Sequence, residues 1–219
     1  MKNYLEILSS CPLFSDISGD DMKRMLRCLD ARVDSYDKKY TIFREGDPAR
    51  LIGIMLSGSA QISRTDYFGN RSIIGNVGAG EVFGEAFACA GEGFMPVSVT
   101  AMEPCEIMFI DCSHILHTCK NGCAFHHRLI YNLMKNLAGK ILDLHRKVEI
   151  TSKRTTREKL MEYLTGCALS AGSNSFDIPF DRQELADYLE VERSGLSAEI
   201  GKLRDEGVLE SRRSHFKLL

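Results

Sequence analysis

The chain has 219 residues, a formal net charge of −2 and eight cysteines. That length suits two small domains, and the near-neutral charge excludes a global attraction to nucleic acid, so any such contact must be local. There is no apolar run of the roughly 18 residues a membrane span needs, no resemblance to a secretion signal and no paired CxxC spacing. A soluble, cytoplasmic chain with no membrane partner and with reduced thiols is therefore expected.

Residues 1–30 read as short amphipathic helices. Tyr4, Ile7 and Leu8 share one face, Met22, Met25 and Leu26 another, and Ser18 with Asp21 three residues on is a capping signal. From Val33 to Asp111 the texture changes to segments rich in Val, Ile, Tyr and Phe between glycine turns. Leu51–Leu56, Ala60–Asp66, Arg71–Val77, Val97–Ala101 and Glu106–Ile110 read as strands. Tyr67-Phe68-Gly69-Asn70 gives a hairpin between the second and third, and the last two are expected to pair with each other. Short strands at this spacing predict an antiparallel β-roll of jelly-roll type.

Residues 112–122 form a polar joint, and a long helix is expected from Cys123 to Ile150. Ile130, Leu133, Leu137, Ile141, Leu144 and Val148 recur every three or four residues along it, over a helix about 40 Å long. A stripe of that length predicts a homodimer packed through these residues. Thr151 to Thr156 mark a hinge and a cap, followed by a helix at Arg157–Ala168 and a short strand at Phe176–Phe180.

The stretch Asp181–Leu209 reads as two crossed helices joined by a turn at Glu190–Arg193. Leu185, Ala186 and Leu189 face inward on the first helix, and Leu196, Ile200 and Leu203 on the second, at i, i+4 and i+7. Arg193, Ser194, Ser197, Ala198 and Lys202 lie off that stripe. This is the layout of a helix-turn-helix whose second helix can enter the major groove of double-stranded DNA. Arg212-Arg213, at a turn between two short extended pieces, reads as a wing. The fold class is thus α+β in three parts: a β-roll with its N-terminal helices at 1–122, a dimerisation helix at 123–150, and a winged helix-turn-helix at 151–219.

This order, with FREGDPA at Phe43–Ala49, the Gly80–Ala101 segment and ELADYLEVERSGLSAEIGKLRDEGVL at 184–209, resembles the Crp/Fnr family of bacterial transcription regulators from end to end. The resemblance implies a homodimer that reads a roughly palindromic promoter site, contacts RNA polymerase and responds to an effector. Cyclic-AMP receptors of the family carry Gly-Glu and, ten residues after the Glu, Arg-Ser. There the Glu binds ribose and the Arg neutralises the cyclic phosphate. This chain keeps Gly84-Glu85 but has Met95-Pro96 at the later position, where Met brings no charge and Pro no backbone N–H. An unpaired buried phosphate costs several kcal/mol, so no response to cyclic AMP is expected. The receptors' Thr-Ser pair on the long helix falls on Lys140-Ile141. Phe83, Phe87, Phe94, Met95, Val97 and Val99 would line an apolar pocket for another small molecule, with Glu85 as its polar contact, or fill a core.

Some relatives hold an iron–sulfur cluster or haem. Here Cys11 and Cys28 are seventeen apart, and Cys105, Cys112, Cys119 and Cys123 form a loose group near the joint with His114, His117, His126 and His127. No ligand spacing supports a metal, haem or iron–sulfur site, which leaves inert buried thiols as the expectation, with a thiol switch as the alternative. An enzyme of the metal-dependent jelly-roll type needs histidines on its strands, and there is none before Cys112. In the recognition helix, Arg193-Ser194 and Ser197-Ala198 stand where cyclic-AMP receptors have Arg-Glu and a second Arg, so a known half-site cannot be carried over. The alternative to a transcription regulator is a small-ligand, haem or redox sensing module with vestigial DNA contact.

Overall fold

A computed structural model describes residues 4–91, 93–116 and 124–219. The chain divides into two compact units, residues 1–64 with 74–141 and residues 65–73 with 142–219.

In the first unit, helices α1 (Leu5–Ser10) and α2 (Gly19–Cys28) precede strands β1 (Arg32–Tyr36), β2 (Thr41–Phe43), β3 (Leu51–Ser57), β4 (Ala60–Thr65), β5 (Arg71–Val77) and β6 (Val82–Phe83). Then come helix α3 (Glu85–Ala90), β7 (Ser98–Ala101), β8 (Cys105–Asp111), α4 (Cys112–Leu116) and the long α5 (Ala124–Thr151). The Ser18 side chain accepts a bond from the Asp21 amide and starts α2. The strands form two four-stranded sheets, ordered β1-β8-β3-β6 and β2-β7-β4-β5.

Both faces of β3 are buried, which explains its continuous apolar sequence. Met55 enters the core between the sheets with Phe43, Phe83, Val99, Ile107 and Phe109. Ile52, Ile54 and Leu56 alternate to the other face and meet Leu8, Met22, Met25, Leu129 and Leu133. Asn132 secures that helical layer by donating to the carbonyls of Leu13 and Ser15 at 3.0 and 2.8 Å.

One expectation needs correction. The strands at 98–101 and 105–111 do not pair: β7 lies beside β2 and β4, whereas β8 lies between β1 and β3. The Met102–Pro104 connection passes from one sheet to the other. A short connection between two strand-like runs has the same local sequence whether the strands pair or change sheet. β4 and β5 are neighbours in one sheet, as the hairpin signal predicts.

The second unit contains α6 (Thr156–Ala171), β9 (Ser175–Asp177), α7 (Arg182–Leu189), α8 (Arg193–Asp205), β10 (Leu209–Arg212) and β11 (His215–Leu218). Capping boxes begin α6, at Thr155 with Glu158, and α7, at Asp181 with Glu184. The α6 helix runs three residues beyond its expected end and stops at Gly172, which takes φ +61°. Leu160, Leu164, Leu185, Leu189, Leu196, Ile200, Leu203 and Phe216 form this unit's core, together with Ile73 of its 65–73 segment. Strands β10 and β11 pair antiparallel, and β9 joins them on the β11 side.

Candidate nucleic-acid interface and effector region

Packing decides which face of α8 is available. Leu196, Ile200 and Leu203 are buried, so Arg193, Ser194, Ser197, Ala198 and Lys202 are turned outward. Arg193 is the first residue of the helix, and the turn before it is Glu190–Glu192, one residue shorter than the sequence suggested. Glu190 takes φ +55°, the left-handed conformation usually left to glycine. Two lysines steady the turn: Lys159 donates to the carbonyls of Leu189 and Glu190, both at 3.3 Å, and Lys147 donates to that of Tyr188. They neutralise the negative end of α7, where its last carbonyls have no helical partner.

Lys147 has its ammonium 3.7 Å from the centre of the Tyr188 ring and donates to Ile73 at 3.2 Å. Burial pulls its pKa from the ordinary 10.5 to about 8. Arg193, Arg212 and Arg213 make no ion pair among the described residues, whereas Lys202 lies 3.7 Å from Glu199. Arg212 closes β10, and Arg213 forms the wing turn at φ +56°, its carbonyl accepting from Arg182 at 3.4 Å. Two arginines are thus exposed at the wing and one at the start of α8. Cationic side chains with no internal partner are the type that exchanges counterions for phosphates.

The residues expected to line an effector pocket lie in the first unit. Gly84 takes φ +79°, and a Cβ there would stand 3.0 Å from the Leu51 carbonyl. That tight turn starts α3 and drives Glu85 inward to 1% exposure. Its carboxylate meets the Lys140 ammonium of α5 at 2.7 Å. Lys140 also donates to the Val82 carbonyl. Beyond the lysine, neither oxygen of Glu85 has a hydrogen-bond partner among the described residues. The ion pair was not legible in the sequence, because the residues are 55 positions apart; Lys140 stood out only as a departure from the receptors' pattern.

Phe83, Met95, Val97 and Val99 are buried in the core between the sheets, with Phe87 packed on its edge. Phe94 is the exception among the expected lining residues: it is 65% exposed, and Pro96 is exposed too. The backbone around them is already paired. Met95 donates to Asp47 and accepts from Gly46, both at 2.8 Å. Ile141 does not join Glu85, being 56% exposed on α5.

Along α5 the expected stripe separates into two. Leu133 is buried in its own unit, and Ile130 and Leu137 pack against the same core. Ile141, Leu144 and Val148 remain exposed, as do Tyr131 and Met134. A one-dimensional period cannot separate an inward face from an adjoining outward one. The outward edge runs Tyr131, Met134, Ala138, Ile141, His145, Val148, in steps of three and four.

At the joint, the His114 ring nitrogen lies 3.0 Å from the Leu29 carbonyl, and a His126 ring nitrogen lies 3.1 Å from that of His114. His117, Cys119 and Cys123 lie outside the described residues. Among the described residues no three His, Cys, Asp or Glu side chains gather as a metal site. Cys89 and Cys112, not singled out together in the sequence, have sulfurs 3.3 Å apart.

Two protein-family comparisons meet on this chain. Residues 33–121 match the cyclic nucleotide-binding domain and residues 137–219 the Crp-like helix-turn-helix domain. A β-roll of the first kind followed by a reader of the second defines a transcription regulator, and the chain belongs to the Crp/Fnr family. It is 23% identical over 202 residues to the cyclic AMP receptor protein of Thermus thermophilus, covering 92% of this chain and 89% of that one. It is 21% identical over 183 residues to the global nitrogen regulator of a Synechocystis strain, covering 81% and 80%. Its fold is similar to that of the c-di-GMP responsive regulator CLP of Xanthomonas campestris, with a TM-score of 0.75 at 21% identity over 92% of this chain and 99% of that one. It is also similar to a mutant CooA of Carboxydothermus hydrogenoformans, with a TM-score of 0.71 at 19% identity over 99% and 91%. No helix among the described residues is long and apolar enough to cross a membrane.

Proposed function

We propose that this regulator is a cytoplasmic homodimer that binds a roughly palindromic promoter site through α8 and the wing, contacts RNA polymerase there, and does not answer to cyclic AMP. The organisation is a sensing roll to residue 122, a pairing helix at 123–150 and a reader at 151–219. The observation that carries the reading is the division of α8, with Leu196, Ile200 and Leu203 committed to the core and Arg193, Ser194 and Ser197 outward. Arg193 is suited to a guanine edge, the two serines to bases or backbone, and Lys202, Arg212 and Arg213 to phosphates.

The exposed edge of α5, with Ile141, Leu144 and Val148, supports pairing with the same helix of a second copy. Two readers on one axis would then meet successive major grooves one helical turn apart. A signal at the roll acts by changing how the two long helices pack. Against cyclic AMP stand the neutral, buried Met95 at the phosphate position and the Lys140 ammonium already on Glu85.

The test is selection of DNA from a random pool by purified protein, followed by titration of the winning site with and without millimolar cyclic AMP. A two-fold symmetric consensus with unchanged affinity is expected. A tenfold gain with cyclic AMP would overturn the effector reading. Failure to enrich any sequence would favour a sensing module with vestigial DNA contact.

A further inference from the structure

We propose that Cys89 and Cys112 are a redox-modification site: a dithiol that reacts with a hydroperoxide and closes to a reversible disulfide, so that the position of α3 depends on oxidation. Cys89 lies on α3 and Cys112 opens α4, with their sulfurs 3.3 Å apart. A disulfide bond of about 2 Å needs a movement of only about 1 Å between them. Cys112 is anchored: its amide donates to the Arg50 carbonyl at 2.9 Å, and Asp111 beside it accepts from the Ser113 amide at 2.9 Å. α3 is the part able to shift, being six residues long between Gly84 and Gly91, both in the left-handed region. Cys89 is also the more accessible thiol, half-buried where Cys112 is buried.

The two thiols are unequal. The hydrogen bond from Cys112 pulls the Cys89 pKa down, and the same bond with burial pushes Cys112 up, so the thiolate forms at Cys89 and the proton stays on Cys112. The Cys89 thiolate attacks the peroxide oxygen; an S–O bond forms, the O–O bond breaks, and the departing oxygen takes a proton and leaves as water or an alcohol. The product is a sulfenic acid at Cys89. The Cys112 sulfur then attacks the Cys89 sulfur; the S–S bond forms, the S–O bond breaks, and hydroxide leaves with the Cys112 proton as water. Two thiols lose two electrons and two protons, and one hydroperoxide is reduced. A cellular dithiol reverses the closure by exchange.

The consequence follows from where α3 begins. Glu85 is its first residue, one helical turn before Cys89, and Glu85 holds Lys140 of α5. Closing the disulfide pulls on the short helix that carries one half of that ion pair. This consequence rests on the reading of α5 as the element that transmits the signal, whereas the thiol chemistry does not.

The experiment is exposure of the reduced full-length protein to one equivalent of hydrogen peroxide, then digestion under non-reducing conditions and mass mapping. Trypsin alone leaves residues 72–120 as one peptide, so a glutamyl endopeptidase is added to separate Cys89 from Cys112. A Cys89–Cys112 cross-link with loss of two hydrogens, reversed by dithiothreitol, is expected. Cys112→Ser stops at a sulfenic acid on Cys89 that dimedone traps, and Cys28→Ser leaves the cross-link unchanged. Oxidation is expected to change affinity for the selected DNA at least tenfold in the wild type and not in Cys89→Ser, whose fold is checked by circular dichroism. A map in which Cys89 stays reduced would overturn the dithiol site, and equal affinities of the cross-linked and reduced wild type would overturn its coupling to the reader through α5. If the reduced protein selects no DNA at all, the reader assignment fails, and the peptide map alone decides the site.

Discussion

Lys140 and Glu85 carry most of the meaning at the scale of single residues. A carboxylate at 1% exposure is tolerable only with its charge answered, and the 2.7 Å ammonium answers it. Lys140→Met strands that charge. We expect a loss of about 2–4 kcal/mol in stability by urea titration, reduced from the fully buried case because Lys140 is about a third exposed. Circular dichroism is the appropriate signal, since the chain has no tryptophan. The double variant Glu85→Gln/Lys140→Met should recover much of the loss; equal damage in both would mean that the lysine acts by packing alone.

Lys147 predicts a pH dependence. The folded chain gives up this proton near pH 8 and the unfolded chain near 10.5, so between those values the unfolded state binds more protons. Stability contributed by this group therefore rises with pH across that window. Between pH 8 and 9.5 the wild type should gain about 1 kcal/mol relative to Lys147→Met, once partial exposure is allowed for. Urea midpoints of the two proteins at both pH values check the difference, and parallel midpoints would contradict it. The sequence marked Lys140 as an effector-pocket position but not its partner, and it did not mark Lys147 at all, because Glu85, Ile73 and Tyr188 lie 41 or more positions from the lysines they meet.

The two informative elements are α5 and α8, and each has a face that the core claims and a face it leaves. For α5 the exposed edge includes Met134, Ile141 and Val148 at seven-residue intervals, the spacing of a coiled-coil seam. Ile141→Asp should turn a dimer into a monomer at micromolar concentration by light scattering, with little change in helical signal. Leu133→Asp should unfold the first unit instead, since Leu133 is buried in it. The contrast matters because the sequence placed both residues in one stripe.

For α8, Arg193→Ala should weaken binding to the selected site by roughly 10–100-fold, the value of one good base contact. Competition against unrelated DNA checks this: an equal loss on both would make Arg193 a phosphate contact. This element was legible early because its period and the turn before it agree. Only the length of the turn, one residue shorter, differed from the reading; Glu190 holds the left-handed conformation of a position where such turns usually carry glycine.

Over the whole molecule, an overall charge of −2 must still allow a polyanion to bind. The answer is local: Arg193, Arg212 and Arg213 are exposed and make no ion pair among the described residues, whereas Arg157 pairs with Glu206 at 3.0 Å and Lys217 with Glu210 at 3.5 Å. Affinity should fall steeply with salt, and Arg213→Ala should lower the slope of log affinity against log salt by about 1 for each subunit that contacts DNA. An unchanged slope would remove the wing from the interface.

The sequence by itself determined the order of parts: short N-terminal helices, glycine-punctuated roll, long helix, winged reader. Each is encoded by local periods, caps and turn residues that act within a few positions. It also determined that no arginine stands where the resemblance places the receptors' phosphate contact, since Met95-Pro96 is a matter of residue type. Tertiary structure alone decided which strands share a sheet, which part of the α5 stripe is already used, and that Glu85 faces Lys140 and Cys89 faces Cys112. The reason is physical: an ion pair or a thiol contact depends on distances in space between residues far apart in the chain, and no periodicity records a partner 23 or 55 positions away.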